Sequence, residues 1–225
     1  MAGGIEWLHF AGALDWLENR SADLRVRATA SPARASDRIV IVDIDNASFR
    51  ALTDKLGRWP WTRRVWTELV RYIARGEPRL VLFDILFSGA EPAADEEFAR
   101  AVERAGNVVL PFAFVSGKVE TGADIFTPPA RAEALGVARH PRAPELTRAA
   151  WSLNSPVRPI ADAADRLGAN PWMPDPDGIT RRLPLTVRYE GRDWSTLWLA
   201  AAKRAQAGAG TGIPLDGAGH YIVRW

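Results

Sequence analysis

Cysteine is absent from this 225-residue chain. Disulfides, thiolate nucleophiles and cysteine-ligated zinc are therefore excluded. The absence is compatible with an oxidising compartment, although cytosolic proteins also do without cysteine. Histidine is scarce: His9, His140 and His220 are the only three, and no pair stands at metal-ligand spacing. Lysine is confined to Lys55, Lys118 and Lys203, so the other basic residues are arginines. Set against 27 acidic residues, the 29 basic ones leave a formal net charge of only +2. That balance does not call for a polyanionic partner. No aromatic residues interleave with a basic run as a single-strand binder requires, so nucleic acid is not an expected partner. No apolar run reaches the ~18 residues of a membrane-spanning helix, and no signal-peptide pattern opens the chain. The bland start Met1-Ala-Gly-Gly4 and the mid-strand ending Tyr221-Ile-Val-Arg-Trp225 lead us to expect a piece of a longer parent, with any membrane helices lying outside this chain.

What is present suffices for a folded core. The composition is 47% hydrophobic and 25% charged, ordinary for a globular domain. Trp7, Phe10, Ala11, Leu14 and Leu17 fall at helical spacing, which predicts an amphipathic helix within residues 1–20, membrane-proximal in the parent. Residues 21–225 are read as a single domain. Ser21 to Asp37, broken by Pro32, reads as a linker. Arg38 to Asp45 reads as a strand covered on both faces, because its apolar run is nearly continuous. A short helix follows over 46–53, with Asp45 placed to cap it. A firmer helix is predicted over 62–74, stopped by Gly76 and Pro78.

The same rhythm continues. Leu80 to Phe87 is predicted as a strand, 94–105 as a helix stopped by Gly106, and Asn107 to Phe114 as a third strand. Strands alternating with helices imply right-handed crossovers and a parallel sheet. Residues 116–158 carry little periodicity and read as a long irregular excursion with a helical piece near 130–135; such excursions are usually functional or mobile. Beyond it the pattern predicts a helix over 159–167 and a strand over 179–189. That strand is paired through the turn Pro174-Asp-Pro-Asp-Gly178 with residues 168–173. A helix over 194–207 and a last strand over 220–225 complete the reading. The expected fold is α/β: a mixed sheet, parallel in its N-terminal half, helices on both faces, antiparallel strands toward the C-terminus.

Several motifs together resemble a known family. They are Ile39-Val-Ile-Val-Asp-Ile-Asp-Asn-Ala-Ser48, Gly57-Arg-Trp-Pro-Trp-Thr-Arg63, Leu82-Phe-Asp-Ile-Leu-Phe87 and Gly106-Asn-Val-Val-Leu-Pro111. The later segments Asp175-Pro-Asp-Gly-Ile-Thr-Arg-Arg-Leu-Pro184, Leu197-Trp-Leu-Ala-Ala-Ala202 and Ile213-Pro-Leu-Asp-Gly217 agree. The set resembles a CHASE domain of type two, the cyclase/histidine-kinase-associated sensory extracellular domain, from about Leu17 to Trp225. The resemblance implies a sensor outside the bacterial cytoplasmic membrane, joined through membrane helices to an intracellular nucleotide cyclase, histidine kinase or protein kinase. It implies no catalysis and no cofactor, and a homodimer in the parent receptor. One departure is that Asn46 stands where the family pattern has a glutamate.

Ligands of open parallel sheets bind outside the carboxyl ends of the strands. Those ends carry Asp43 and Asp45, then Asp84 and Ser88. The loop between them offers tryptophan faces at Trp59 and Trp61, and at Arg58 and Arg63 planar forks suited to carboxylate or phosphate. These eight residues form the candidate ligand site for a small-molecule or protein signal. A structural alternative stands beside it: Asp45 caps a helix, Asp84 pairs with Arg58 or Arg63, and Pro60 locks a packed corner. A catalytic alternative is a haloacid-dehalogenase-like phosphatase with Asp43 as nucleophile and Asp45 as acid/base, but no lysine or later acidic pair completes that scheme. A third alternative is a ligand-free dimerisation or interaction module, its tryptophans facing a partner.

Overall fold

The computed structural model describes residues 15–31, 37–116, 145–146, 151–171, 174–175, 177–205 and 220–222. The chain divides into two units, residues 1–44 with 223–225, and residues 45–222. The N-terminal unit contains helix α1, Asp15–Thr29. Helix therefore occupies residues 21–29 of the linker expected over 21–37, as the good helix formers Ala22, Leu24 and Arg25 allow. Most of the N-terminal amphipathic helix expected over residues 5–18 lies outside the described residues.

The Arg38-to-Asp45 strand is not formed. Among the described residues this segment pairs with no other strand, and Ile39, Val40, Ile41 and Val42 are 71%, 85%, 85% and 64% exposed. β-Branched composition measures fitness for a pleated, half-buried surface rather than a backbone preference. Without a ladder partner the run stays exposed to water.

The second unit is built on the apolar run after Asn107. Strand β1 (Val81–Leu82) pairs in parallel with β2 (Val108–Ser116), Val81 opposite Val108. Strand β5 (Arg166–Ala169) pairs in parallel with β2, Val109 opposite Arg166 and Phe112 opposite Ala169. Strand β4 (Trp151–Asn154) runs antiparallel to the far end of β2. A second sheet has the order β3 (Glu145–Leu146), β7 (Thr186–Tyr189), β8 (Arg192–Ser195), and β6 (Arg182–Pro184) pairs with β9 (His220–Ile222).

Helices cover both faces of the β2 sheet. Alternation along a strand puts Val108, Leu110 and Phe112 on one face and Val109 on the other. Helix α4 (Pro92–Ala105) lies on the first face, where Phe98 meets Phe87 and Phe83 at ring distances of 4.8 and 6.3 Å. It packs against α3 (Arg63–Ala74) and α5 (Arg158–Ala163). Helix α6 (Leu197–Ala205) lies on the second face, with Leu197 and Ala200 against Val109. Gly168 makes that approach possible. A Cβ there would stand 2.7 Å from the Leu197 nitrogen and closer still to its Cα. The mixed α/β sheet, parallel in its first half, is as the sequence implies.

Local assignments differ where tertiary pairing overrides pattern. The expected 80–87 strand keeps two residues of ladder; beyond Phe83, Phe87 O accepts from the Val157 N–H at 2.9 Å. The expected 159–167 helix ends at Ala163, because Asp165 N–H donates to Val108 O at 2.9 Å and Asn170 N–H to Phe112 O at 2.8 Å, placing 166–169 in the sheet. Gly168 and Ala169 therefore pair with β2 rather than with the 179–189 segment, which itself divides into β6 and β7. Residues 192–195 are a strand rather than the start of α6: Glu190 (φ 49°) and Gly191 (φ 74°) make a two-residue turn with both central φ positive, the hairpin geometry of a right-twisted pair. The helical piece expected near 130–135 and the turn at 216–219 lie outside the described residues.

The turn at Asp175–Ile179 is held by Arg181, which reaches Asp175 at 3.0 Å and Asp177 at 2.8 Å. The Arg181 hydrogen bond, aided by the Ile179 N–H, lowers the Asp177 carboxyl from 3.8 to about 2. A depressed folded-state value stabilises above the ordinary carboxylate range, and the contribution disappears as pH falls toward about 2. The melting-temperature gap between wild type and Asp177→Asn is thus expected to be open at neutral pH and closed near pH 2. Denaturant titration checks the packing: Gly168→Ala should cost about 3 kcal/mol, whereas Ile41→Ser in dilute protein should stay within about 0.5 kcal/mol. A covered strand at 38–45 would make the second change costly instead.

Candidate functional site

The tryptophan-rich corner begins where α2 (Asn46–Leu56) stops. Asp45 caps that helix: its Oδ1 accepts from the Ser48 N–H at 2.8 Å and the Ser48 hydroxyl at 2.9 Å. These two bonds hold its carboxyl below the usual carboxylate range. Gly57 (φ 82°) ends the helix, its N–H bonded to Thr53 O at 2.9 Å. The chain then passes through a cis Trp59–Pro60 bond into α3. Edge-on ring contacts run through the corner: Phe49 to Trp59 at 5.6 Å, Trp59 to Trp61 at 5.4 Å, Trp59 to Trp66 at 5.8 Å, and Trp66 to Phe87 at 5.7 Å. Such offset and T-shaped pairs add stabilisation beyond the area they bury. Trp66 Nε1 donates to Trp61 O at 3.3 Å, while Trp61 Nε1 is buried with no partner among the described residues.

Arg63 is buried and held on several sides. Its backbone N–H donates to Glu91 Oε2 at 3.1 Å, its Nε to Asp95 Oδ1 at 3.0 Å, and its Nη2 to Gly89 O at 2.6 Å. Nη1 lies 3.7 Å from Glu91 Oε1, and the guanidinium sits 5.1 Å over the Phe87 ring. Asp95, also buried, uses its second oxygen to accept from the Glu91 N–H at 2.6 Å. The guanidinium therefore ties the start of α3 to the start of α4. Asp95 and Glu91 were missing from the sequence-level site. The one signal for them was the Glu91-Pro-Ala-Ala-Asp95 pattern of an acidic helix start.

Above this tie lies an open hollow of about 300 Å³, lined by Trp59, Trp61, Arg63, Trp66, Asp84 and Phe87 among others. Asp84 is exposed, and its Oδ1 accepts from Asn170 Nδ2 at 2.7 Å. The hollow thus brings together four of the eight candidate residues. Asp84 does not take the expected partner, since Arg63 is held by Asp95 and Glu91. Arg58 is exposed and Ser88 half-buried, and neither lines the hollow. Asp45 is a helix cap, and Asp43 is exposed within the N-terminal unit. Among the described residues, no three His, Asp or Glu side chains gather as a metal site.

A family model described as the CHASE2 domain matches residues 3–225. No curated protein and no solved structure matches the chain. No helix among the described residues is long and apolar enough to cross a membrane. Chemical denaturation separates scaffold from surface here. Asp95→Asn, which strands the buried Arg63 charge, should cost about 3–5 kcal/mol, whereas Asp84→Asn at the open rim should cost less than about 1 kcal/mol.

Proposed function

The chain belongs to the CHASE2 domain family, a family of sensory extracellular domains, and on that premise we propose that it is the signal-input domain of a bacterial membrane receptor. It faces the periplasm and governs an intracellular cyclase or kinase, with no chemical step of its own. The hollow beside the Trp59–Pro60 corner supports this reading most. It combines aromatic walls with one exposed carboxylate, while its cation is locked into the scaffold. That arrangement suits recognition. Signal binding there biases the α2–α3 corner, and the bias reaches the membrane through the chain ends.

The exposed β-branched run Ile39–Val42 supports self-association within the receptor as a second reading, since unpaired strand edges and apolar extended segments are templates for pairing with another chain. The phosphatase alternative draws no support from the geometry. Asp43 lies in a stretch without strand partners among the described residues, and Asp45 spends its carboxylate on Ser48.

Protease added to spheroplasts, with the outer membrane opened and the cytoplasmic membrane intact, tests the placement. Cleavage of this domain in its native parent is expected, together with an intracellular output that persists but loses regulation when the domain is deleted. Protection from external protease would contradict the proposal. So would magnesium-dependent phosphate-ester hydrolysis abolished by Asp43→Asn.

A further inference from the structure

We propose that the hollow beside the Trp59–Pro60 corner binds a small organic ammonium ion that also carries a hydroxyl or carbonyl oxygen. The proposal rests on the sensory reading for its meaning in signalling; the binding itself rests on the local chemistry.

Charge comes first. Among the described residues Arg63 is the one cationic side chain lining the hollow; Asp95 and the Gly89 carbonyl accept from its Nε and Nη2, and Glu91 lies 3.7 Å from Nη1. The guanidinium is thus held by two hydrogen bonds, and its charge is already largely balanced within the scaffold. Asp84 is the opposite case: among the described residues its only partner is the neutral Asn170 amide. Asp84 is the carboxylate of the lining, and Glu91 and Asp95 balance Arg63 from behind it, so the local charge is negative. The preference for carboxylate or phosphate that the arginines suggest in the sequence is therefore reversed by their packing.

The walls point the same way. Trp59 is 42% exposed at the rim, with Trp61 and Trp66 packed edge-on behind it. A cation held within about 6 Å of an indole face is attracted by the ring quadrupole, and indole is the strongest of the aromatic side chains in this respect. A carboxylate beside indole faces is complementary to ammonium: the charge meets Asp84, and the C–H groups beside the nitrogen meet the rings. A hollow of about 300 Å³ is at the small end of ligand sites.

The third observation is polar. Trp61 lines the hollow and is only 5% exposed, yet its Nε1–H has no acceptor among the described residues. Buried indole N–H groups normally find a partner. The N–H is closed to solvent in this conformation, so a ligand oxygen supplies the missing acceptor only with a side-chain rearrangement at the rim, and a bare ammonium ion, which offers no acceptor, is the poorer fit.

The test uses the full 225-residue chain, read by tryptophan fluorescence and isothermal titration calorimetry. The probes are choline, ethanolamine, tetramethylammonium, the neutral choline isostere with carbon in place of nitrogen, acetate and inorganic phosphate. Saturable binding of choline or ethanolamine is expected, weakened at least about tenfold by Asp84→Asn and by loss of the ligand charge. Trp61→Phe, which removes the N–H, should weaken choline more than tetramethylammonium. Circular dichroism should show Asp84→Asn folded. The proposal is overturned if neither oxygen-bearing cation saturates, if Asp84→Asn binds equally well, or if acetate or phosphate binds in their place. Failure here with a parent receptor that still answers another signal removes the ligand class and leaves the sensory role. Binding here with a parent indifferent to these cations keeps the site and removes the sensory role.

Discussion

The buried guanidinium of Arg63 organises the corner on which everything else stands. A charge at this depth survives only if it is paired and its donors are used. Asp95 pairs the charge and accepts from Nε, the Gly89 carbonyl accepts from Nη2, Glu91 stands 3.7 Å from Nη1, and Phe87 covers the planar face. The first turn of one helix is thereby fixed to the first turn of the next, and the tryptophan loop between α2 and α3 has a rigid base. Charge-assisted bonds of this kind fix geometry as well as contributing energy. With Arg63 committed, the rim residue Asp84 is left to define the polarity of the hollow.

Position in the sheet explains why that rim is where it is. β1 leaves the ladder after Phe83, so Asp84 emerges beyond the strand end while Phe83 and Phe87 turn back into the aromatic core. The same chain turn that terminates hydrogen bonding therefore opens the recess. Gly168 serves the opposite face, letting α6 approach β5 at backbone distance. One face of the sheet is given to the α3–α4–α5 layer and the corner, the other to α6.

The elements that patterning resolved are those whose local and tertiary signals agree. The helices at 63–74 and 92–105 have apolar faces, and the second ends at Gly106 in a left-handed conformation. The central strand at 108–116 is buried along most of its length, and the Asp45 cap has the residue type such a position prefers. What escaped was undecided by local pattern. The 39–42 run has strand composition but no ladder. The hairpin at Glu190-Gly191 lacks the asparagine or aspartate that usually announces such a turn. Tryptophans and acid at the site were legible as residue types. The role of Arg63 was not, because its salt-bridge partner Asp95 lies 32 residues away. An arginine in a loop reads as a ligand fork until the fold shows what already fills it.

Family membership and geometry meet at the hollow, since a sensory domain needs a place where a signal changes local free energy. Indole nitrogen–proton NMR on the labelled chain, titrated with choline, addresses this most directly. The account predicts saturable shifts in the Trp59 and Trp61 indole signals while those of Trp194 and Trp198 on the second unit's other elements stay fixed. Unmoved Trp59 and Trp61 signals, or equal shifts at all four, would contradict it.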